Sequence, residues 1–257
     1  MEPAVRTVLK SILKRLFAVA AIAAPLVAQA YVLGPTTPGK WGPAAMGTGA
    51  TVTYSYMSSG VSCTDEGGAY TISALGSFGP ALGVWKSEIE AALASWSAVA
   101  NLTFVEVADQ GEAFNAGTQL SGDLRFGGHA FDGAFGVLAH GFYPPNNGAS
   151  AAGDMHYDTG ECWEAGMDGT GDGCFSIFQV TAHEIGHALG LAHTGVANSL
   201  MNPFYSEAFS GPQADDIAGM QFIYGPAVAQ GVPEPGGLAL VGVALLGAAA
   251  ARRRAKG

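Results

Sequence analysis

The densest chemistry in this chain lies in one short run: His183-Glu184-Ile185-Gly186-His187-Ala188-Leu189-Gly190-Leu191-Ala192-His193. On a helix, positions i and i+4 share a face about 5–6 Å apart. His183 and His187 can therefore hold one metal ion between them. Glu184 projects beside them, within reach of a water at that ion. Gly190 can take a backbone conformation closed to other residues. It lets the helix end and the chain swing His193 in as a third donor. Three imidazoles leave a fourth position open, as a catalytic zinc requires. The plain alternative, histidines merely satisfied inside a core helix, has no need of this spacing.

Such a run needs a frame. Thr51–Met57 alternates and is rich in β-formers, so it reads as a strand. Lys86–Ala100 places Ile89, Leu93, Trp96 and Val99 at helical spacing, with Glu88 and Glu90 in the first turn. Leu102–Val107 reads as a second strand, Asp123–Phe126 as a third and Gly136–Phe142 as a fourth. Phe175–Leu191 reads as a buried helix. Ala214–Tyr224 is a last helix, bounded by Pro212 and by Gly225-Pro226. Of three cysteines, Cys162 and Cys174 bracket a polar, Gly-rich loop and are paired in this reading, leaving Cys63 odd.

Composition sets limits. The chain has 257 residues, 49% hydrophobic, with 13 Phe, 8 Tyr and 4 Trp, which excludes intrinsic disorder. The net charge is −10, and eight of the 11 basic residues sit at the two ends. Residues 31–232 carry 3 basic against 19 acidic side chains, a net of −16. No phosphate track can be built from that, so nucleic acid is excluded as a partner. An acidic middle suits hard cations such as calcium, or simply solubility.

The ends read as addresses. Residues 1–30 form a basic stretch, the apolar run Leu16–Val27 and the small-x-small site Ala28-Gln29-Ala30, the pattern of a secretory signal peptide. Residues 31–231 are expected to be the mature domain. Residues 232–257 comprise Val232-Pro233-Glu234-Pro235, the uncharged run Gly236–Ala251 and Arg252-Arg253-Arg254. That order resembles the PEP-CTERM sorting signal of Gram-negative bacteria. The resemblance implies an exosortase-type partner, transient anchoring through this C-terminal segment alone, and delivery to the cell surface or extracellular matrix. An ordinary uncleaved transmembrane anchor is the alternative.

The histidine run is similar to the metzincin signature, and Ser199-Leu200-Met201-Asn202-Pro203 resembles the Met-turn, with Met201 beneath the zinc. Further patches resemble the matrixins. These are Lys40-Trp41, Ile89–Val107, Phe131-Asp132-Gly133, Val137-Leu138-Ala139-His140, Asp154-Met155-His156-Tyr157-Asp158 with Glu161 and Trp163, and Asp215–Gly225. Their shared order over roughly residues 40–225 carries the resemblance. It implies an α+β, zincin-like fold: a twisted mixed sheet, a long active-site helix and two further helices. It implies a monomeric zinc endopeptidase acting on protein or peptide substrates, with Glu184 as general base. Cys63 lacks the family's latency motif, so activity is expected once the chain is folded and metallated.

The resemblance also implies more metals. His129, His140 and His156 match the family's structural zinc. The family's fourth ligand position falls on Phe131 here, so a second zinc and a metal-free trio of loop histidines both stay open. Asp158, Glu161 and Asp132, with the carbonyls of Gly133, Phe135 and Val137, match a calcium shell. Asp123 and Asp154 match ligands of another calcium site. A rival reading is a catalytically silent surface or biofilm-matrix binding module on the same fold.

Overall fold

The computed structural model describes residues 30–63, 66, 68, 70–144, 151–167 and 171–228. The sorting tail and all but the last residue of the export signal lie outside them. In chain order the elements are β1 (Val32–Leu33), β2 (Ala50–Tyr56), α1 (Leu82–Ser97), β3 (Leu102–Glu106), β4 (Leu124–His129) and β5 (Ala139–Gly141). There follow β6 (Asp154–Asp158), β7 (Cys162–Glu164), β8 (Cys174–Ser176), α2 (Ile177–Ala188), β9 (Leu191–Ala192) and α3 (Ala214–Tyr224). Among the described residues no helix is long and apolar enough to cross a membrane.

Five strands form one mixed sheet in the order β3-β2-β4-β6-β5. All neighbours run parallel except the edge strand β5, which is antiparallel to β6. Side chains alternate between the two sheet faces, and here the faces differ in kind. Val52, Leu124, Phe126, Met155 and Tyr157 join the main core with Trp85, Ile89 and Trp96 of α1 and with Ile177, Ala182 and Ile185 of α2. The opposite face of β4 and β6 carries Arg125, His129, Asp154, His156 and Asp158, all buried. A smaller cluster of Met57, Val61, Cys63, Ile72 and Phe114 covers part of that polar face. Trp96 is fully buried and donates from Nε1 to the Ala182 carbonyl at 2.9 Å, tying α1 to α2. Truncating such a residue to Ala costs about 3–5 kcal/mol.

The expected α+β architecture is present, with three helices among the described residues. The active-site helix α2 is shorter than read, because Phe175 and Ser176 belong to β8. Helix α1 begins at Leu82, so Glu88 and Glu90 lie beyond its first turn. Gly83 masked that turn, since glycine is a poor helix former. Strand β6 was not read as a strand, because three of its five residues, Asp154, His156 and Asp158, are polar and face a second, polar interior. Cys162 and Cys174 are joined and clip β7 to β8, with their Cα atoms 4.4 Å apart. Closing a loop of this size restricts the unfolded chain by about 3 kcal/mol.

Candidate functional site

Helix α2 starts where the Ser176 Oγ accepts from the Gln179 N–H at 3.2 Å. It ends at Gly190, whose φ is +112° and whose missing Cβ would overlap the Gly39 carbonyl oxygen. Two carbonyls orphaned by that ending find side-chain donors: Trp41 Nε1 donates to Ala188 at 2.7 Å and Tyr224 Oη to Leu189 at 3.0 Å. The chain then pairs β9 with β1 and turns His193 back towards the helix.

The three imidazoles converge. His193 Nε2 lies 3.1 Å from both His183 Nε2 and His187 Nε2. His183 Nδ1 donates to the Leu200 carbonyl at 2.6 Å, and His187 Nδ1 to the Leu191 carbonyl at 2.8 Å. Each of these two Nε2 atoms therefore keeps a lone pair for a metal. Burial pushes His183 down to about 4 and His187 down to about 3, and lowers His193 as well. All three are neutral donors at pH 7, the form zinc binds.

Glu184 lies against the edge strand. Burial pushes its carboxyl up to about 8, opposed by a hydrogen bond from the Gly141 backbone. Its Oε2 has no hydrogen-bond partner. A cleft of about 430 Å³ opens over His183, Glu184 and His193. Phe135–Ala139 form one wall and Asn202–Ser206 the other, with Phe175, Val180 and Leu200 between them. Phe204, 81% exposed, and Phe135, 72% exposed, stand as apolar rims on opposite sides.

Met201 lies beneath the site, and a Cβ on Gly186 would overlap its Sδ. The turn that carries it hangs on Asp216, which is buried at the start of α3. Asp216 accepts from Leu200 N at 2.7 Å, Met201 N at 3.0 Å, Ser199 Oγ at 2.5 Å and Gln213 N at 2.8 Å. Leu200 in turn orients His183. Asp216 was missed as a positioning residue. The capping box of Gln213 and Asp216 explains only one of its four bonds.

On the polar sheet face the structure assembles a second cluster. His129 Nε2, His140 Nε2 and His156 Nδ1 converge, together with a residue absent from every motif, Glu66. Its Oε2 lies 3.2 Å from His129 Nε2 and 2.9 Å from His156 Nδ1, and its Oε1 contacts His140 Nε2. Burial opposes ionisation of Glu66, but the three histidines hold its carboxyl far below the usual range. His156 is fully buried, and burial pushes it down to about 4. Cys63, the odd cysteine, is a buried free thiol whose Sγ lies 3.9 Å from His156 Nε2. Burial pushes that thiol up to about 12.

The acidic calcium candidates gather at the other end of β6. Asp132 accepts from the Val137 N–H at 3.1 Å, closing the loop over Gly133 and Phe135. Asp158 Oδ1 accepts from Phe131 N at 3.1 Å and Gly160 N at 2.8 Å. Its Oδ2 and both oxygens of Glu161 are buried without a hydrogen-bond partner. Burial raises the Glu161 carboxyl, the nearby Phe135 and Gly136 amides oppose that, and the charges of Asp158 and Asp132 raise it further.

Asp123 accepts from Thr53 N and Thr53 Oγ1, both at 2.8 Å. Asp154 faces Arg125 Nη1 at 3.5 Å, and burial raises its carboxyl well above the ordinary value. Asp123 thus has hydrogen-bond partners within the chain, whereas both Asp154 oxygens are buried beside Arg125 without a hydrogen bond. The three basic residues of the described chain are also engaged: Lys40 with backbone carbonyls, Lys86 with Glu106, and Arg125 with Asp109 and Asp154.

Comparison with known proteins adds an independent finding. The family model described as Matrixin (peptidase M10) matches residues 80–225. Matrix metalloproteinase-20 of Homo sapiens is 41% identical over 142 residues, 54% of this chain and 27% of that protein. Interstitial collagenase of Bos taurus is 42% identical over 142 residues, 54% of this chain and 28% of that protein. Karilysin of Tannerella forsythia is 36% identical over 140 residues, again 54% of this chain and 28% of that protein. The chain thus spans between a quarter and a third of the length of these relatives.

Proposed function

The chain belongs to the Matrixin family, and from that premise we propose that it is a zinc-dependent endopeptidase cutting peptide bonds in extracellular proteins. One observation carries the reading: three neutral imidazole nitrogens converge at the foot of an apolar-rimmed cleft, with an unpartnered carboxylate oxygen beside them. His183, His187 and His193 fit zinc by donor type, tautomer and charge. A zinc ion held there supplies a Lewis acid for the scissile carbonyl and for the attacking water.

The rest of the reaction falls to this chain. The substrate lies extended along β5, adding to the free sheet edge. Val137 and Leu138 line one side of it, and Asn202–Tyr205 wall the pocket for the residue after the cut. Glu184 takes a proton from water as the water oxygen attacks the carbonyl carbon. The C–N bond then breaks, and Glu184 passes that proton to the leaving nitrogen. Burial raises the carboxyl, which helps it to hold that proton until the leaving nitrogen takes it.

Calcium is proposed at Asp132, Asp158 and Glu161, with the carbonyls of Gly133, Phe135 and Val137. Three buried carboxylate oxygens without hydrogen-bond partners support it. Removal of residues 1–30 on export and surface sorting through residues 232–257 are proposed from their sequence pattern. Nothing observed favours the silent binding module, and the presence of His183, His187, His193 and Glu184 together speaks against it.

The test is cleavage of a mixed peptide library by the zinc- and calcium-loaded protein. Cleavage lost to phenanthroline and to Glu184→Ala is the expected result. No cleavage by protein that holds zinc at His183 would overturn the reading. Terminal sequencing and the mass of the exported chain check both address segments.

A further inference from the structure

We propose that Glu66, on the segment between β2 and α1, is the fourth donor of a second, closed zinc site completed by His129, His140 and His156. This deepens the family reading of those three histidines, which left the fourth position empty at Phe131. The proposal rests on where the donor atoms lie. Four ligand atoms from four separate stretches of chain fall within 4.8 Å of one another. Bonds of about 2.0–2.1 Å to a tetrahedral zinc place its ligand atoms about 3.3 Å apart. His129 Nε2 to Glu66 Oε2 is 3.2 Å, His140 Nε2 to His156 Nδ1 is 3.2 Å, and His156 Nδ1 to Glu66 Oε2 is 2.9 Å.

Hydrogen positions point the same way. His129 Nδ1 lies 3.0 Å from the Ala130 carbonyl and must carry a proton to face it. Its Nε2 then meets the Glu66 carboxylate with a lone pair, unless a second proton or a cation lies between them. His140 and His156 likewise turn ring nitrogens towards each other. A single divalent ion satisfies every one of these contacts.

The site is enclosed on most sides, unlike the cleft, with His140, 32% exposed, its most open member. Glu66 is 10% exposed and His156 is fully buried. Phe131 stacks on His140 with centroids 4.5 Å apart and touches His129 at 4.4 Å, while Tyr70 covers the other side of His129 at 4.7 Å. A closed shell with three nitrogens and one oxygen suits a structural zinc. Backbone bonds present Glu66: Cys63 N donates to Tyr70 O at 2.9 Å, and Glu66 N to Cys63 O at 3.2 Å. Cys63 Sγ meets the outward Nε2 of His156, which helps to keep its Nδ1 turned inward. The ion would thus clip the segment between β2 and α1 to β4, β5 and β6, and so brace the edge strand that borders the catalytic cleft.

The experiment counts zinc by elemental mass spectrometry on the full chain in the Glu184→Ala background, which prevents self-cleavage. Protein is stripped, reloaded with zinc in the presence of calcium, and freed of excess metal. The parent is expected to retain two zinc ions, and Glu66→Gln and His183→Ala one each. Cobalt in the His183→Ala protein should give the visible absorption of a tetrahedral ion, and Glu66→Gln should abolish it. Phe131 packs on both histidine rings, so Phe131→Asp brings a carboxylate to the same point. It should restore the second ion to the Glu66→Gln protein, which separates ligand loss from misfolding. Two zinc ions retained by Glu66→Gln would overturn the proposal. So would a parent with one ion that disappears on His183→Ala; the cluster is then held by protons, and the endopeptidase reading stands untouched. A parent with one ion that survives His183→Ala but not Glu66→Gln keeps the proposal and sinks the catalytic reading instead.

Discussion

The two histidine clusters lie on opposite faces of the same sheet edge, and they differ in what surrounds their donors. His140 of β5 turns to the Glu66 cluster, while its neighbours Ala139 and Gly141 face the main core and Glu184. The first cluster offers three neutral nitrogens and opens into a cleft of about 430 Å³. The second adds a carboxylate and is roofed by Phe131, Tyr70 and the Phe114 side of the smaller core. An open coordination position serves reaction, and a filled one serves fixation. On the two proposals made above, the same imidazole chemistry is turned to different ends by one extra donor and the presence or absence of a roof.

Glu184→Ala should break the comparison most sharply. The loss of a positioned general base is worth roughly 10²–10⁴-fold in kcat. Zinc at both centres should stay, since Glu184 is a ligand of neither. Steady-state kinetics beside a zinc count check this, and a variant with wild-type kcat would remove Glu184 from its role.

Asp216→Ala should damage the open centre alone. It strands the amides of Leu200, Met201 and Gln213 and the hydroxyl of Ser199. A stability loss of about 3–5 kcal/mol in urea melts is expected. Zinc affinity at His183 should fall with it, while the Glu66 cluster keeps its ion. A loss below about 1 kcal/mol would mean that the Leu200 carbonyl finds His183 without this anchor.

Calcium removal tests the region between the two. At about 100 times its Kd, a bound ion adds about 2.7 kcal/mol to stability. Thermal melts with and without a calcium chelator should differ accordingly, and Glu161→Gln should shrink that difference. An identical melting temperature in both conditions would leave Asp158 and Glu161 as ordinary buried acids.

The smallest effect concerns the loop that carries Phe114 against His156. Burial would raise the Glu112 carboxyl, but hydrogen bonds from Ser121 Oγ and the Leu120 and Ser121 amides outweigh it and lower it to about 2. A folded value below the ordinary 4.5 makes its contribution complete above about pH 4.5, and it fades as pH falls towards 2. Glu112→Gln should therefore destabilise at pH 7 and matter little at pH 2. Equal effects at both pH values would contradict the assignment.

How far these regions could be read from the residues follows the distances along the chain. His183, His187 and His193 lie within one helix and its exit, so helical periodicity and one glycine place them without any tertiary contact. The pairing of Cys162 with Cys174 was equally local. Glu66 stands 63 positions before His129, on a segment with no period and outside the matched family region, and nothing in its neighbours marks it. Asp216 was visible as part of a resembling helix, but its grip on Leu200 and Met201 was not. Asp123 and Asp154 matched a calcium pattern, and the structure adds a neighbour that the pattern did not name, Thr53 for one and Arg125 for the other.

By itself, then, the order of residues determined the metal-binding helix, the acidic character of the middle, the family, and the three helices and four of the nine strands among the described residues. These depend on short-range geometry, repeating at 3.6 or 2 residues, and on composition. Only the tertiary structure decided which carboxylates meet which cations, which side of β6 is buried in polar company, and that a distant glutamate completes the second cluster. Those choices are made by strand register and by chain segments brought together from far apart. Charges buried there must find partners in space, whatever their separation along the chain.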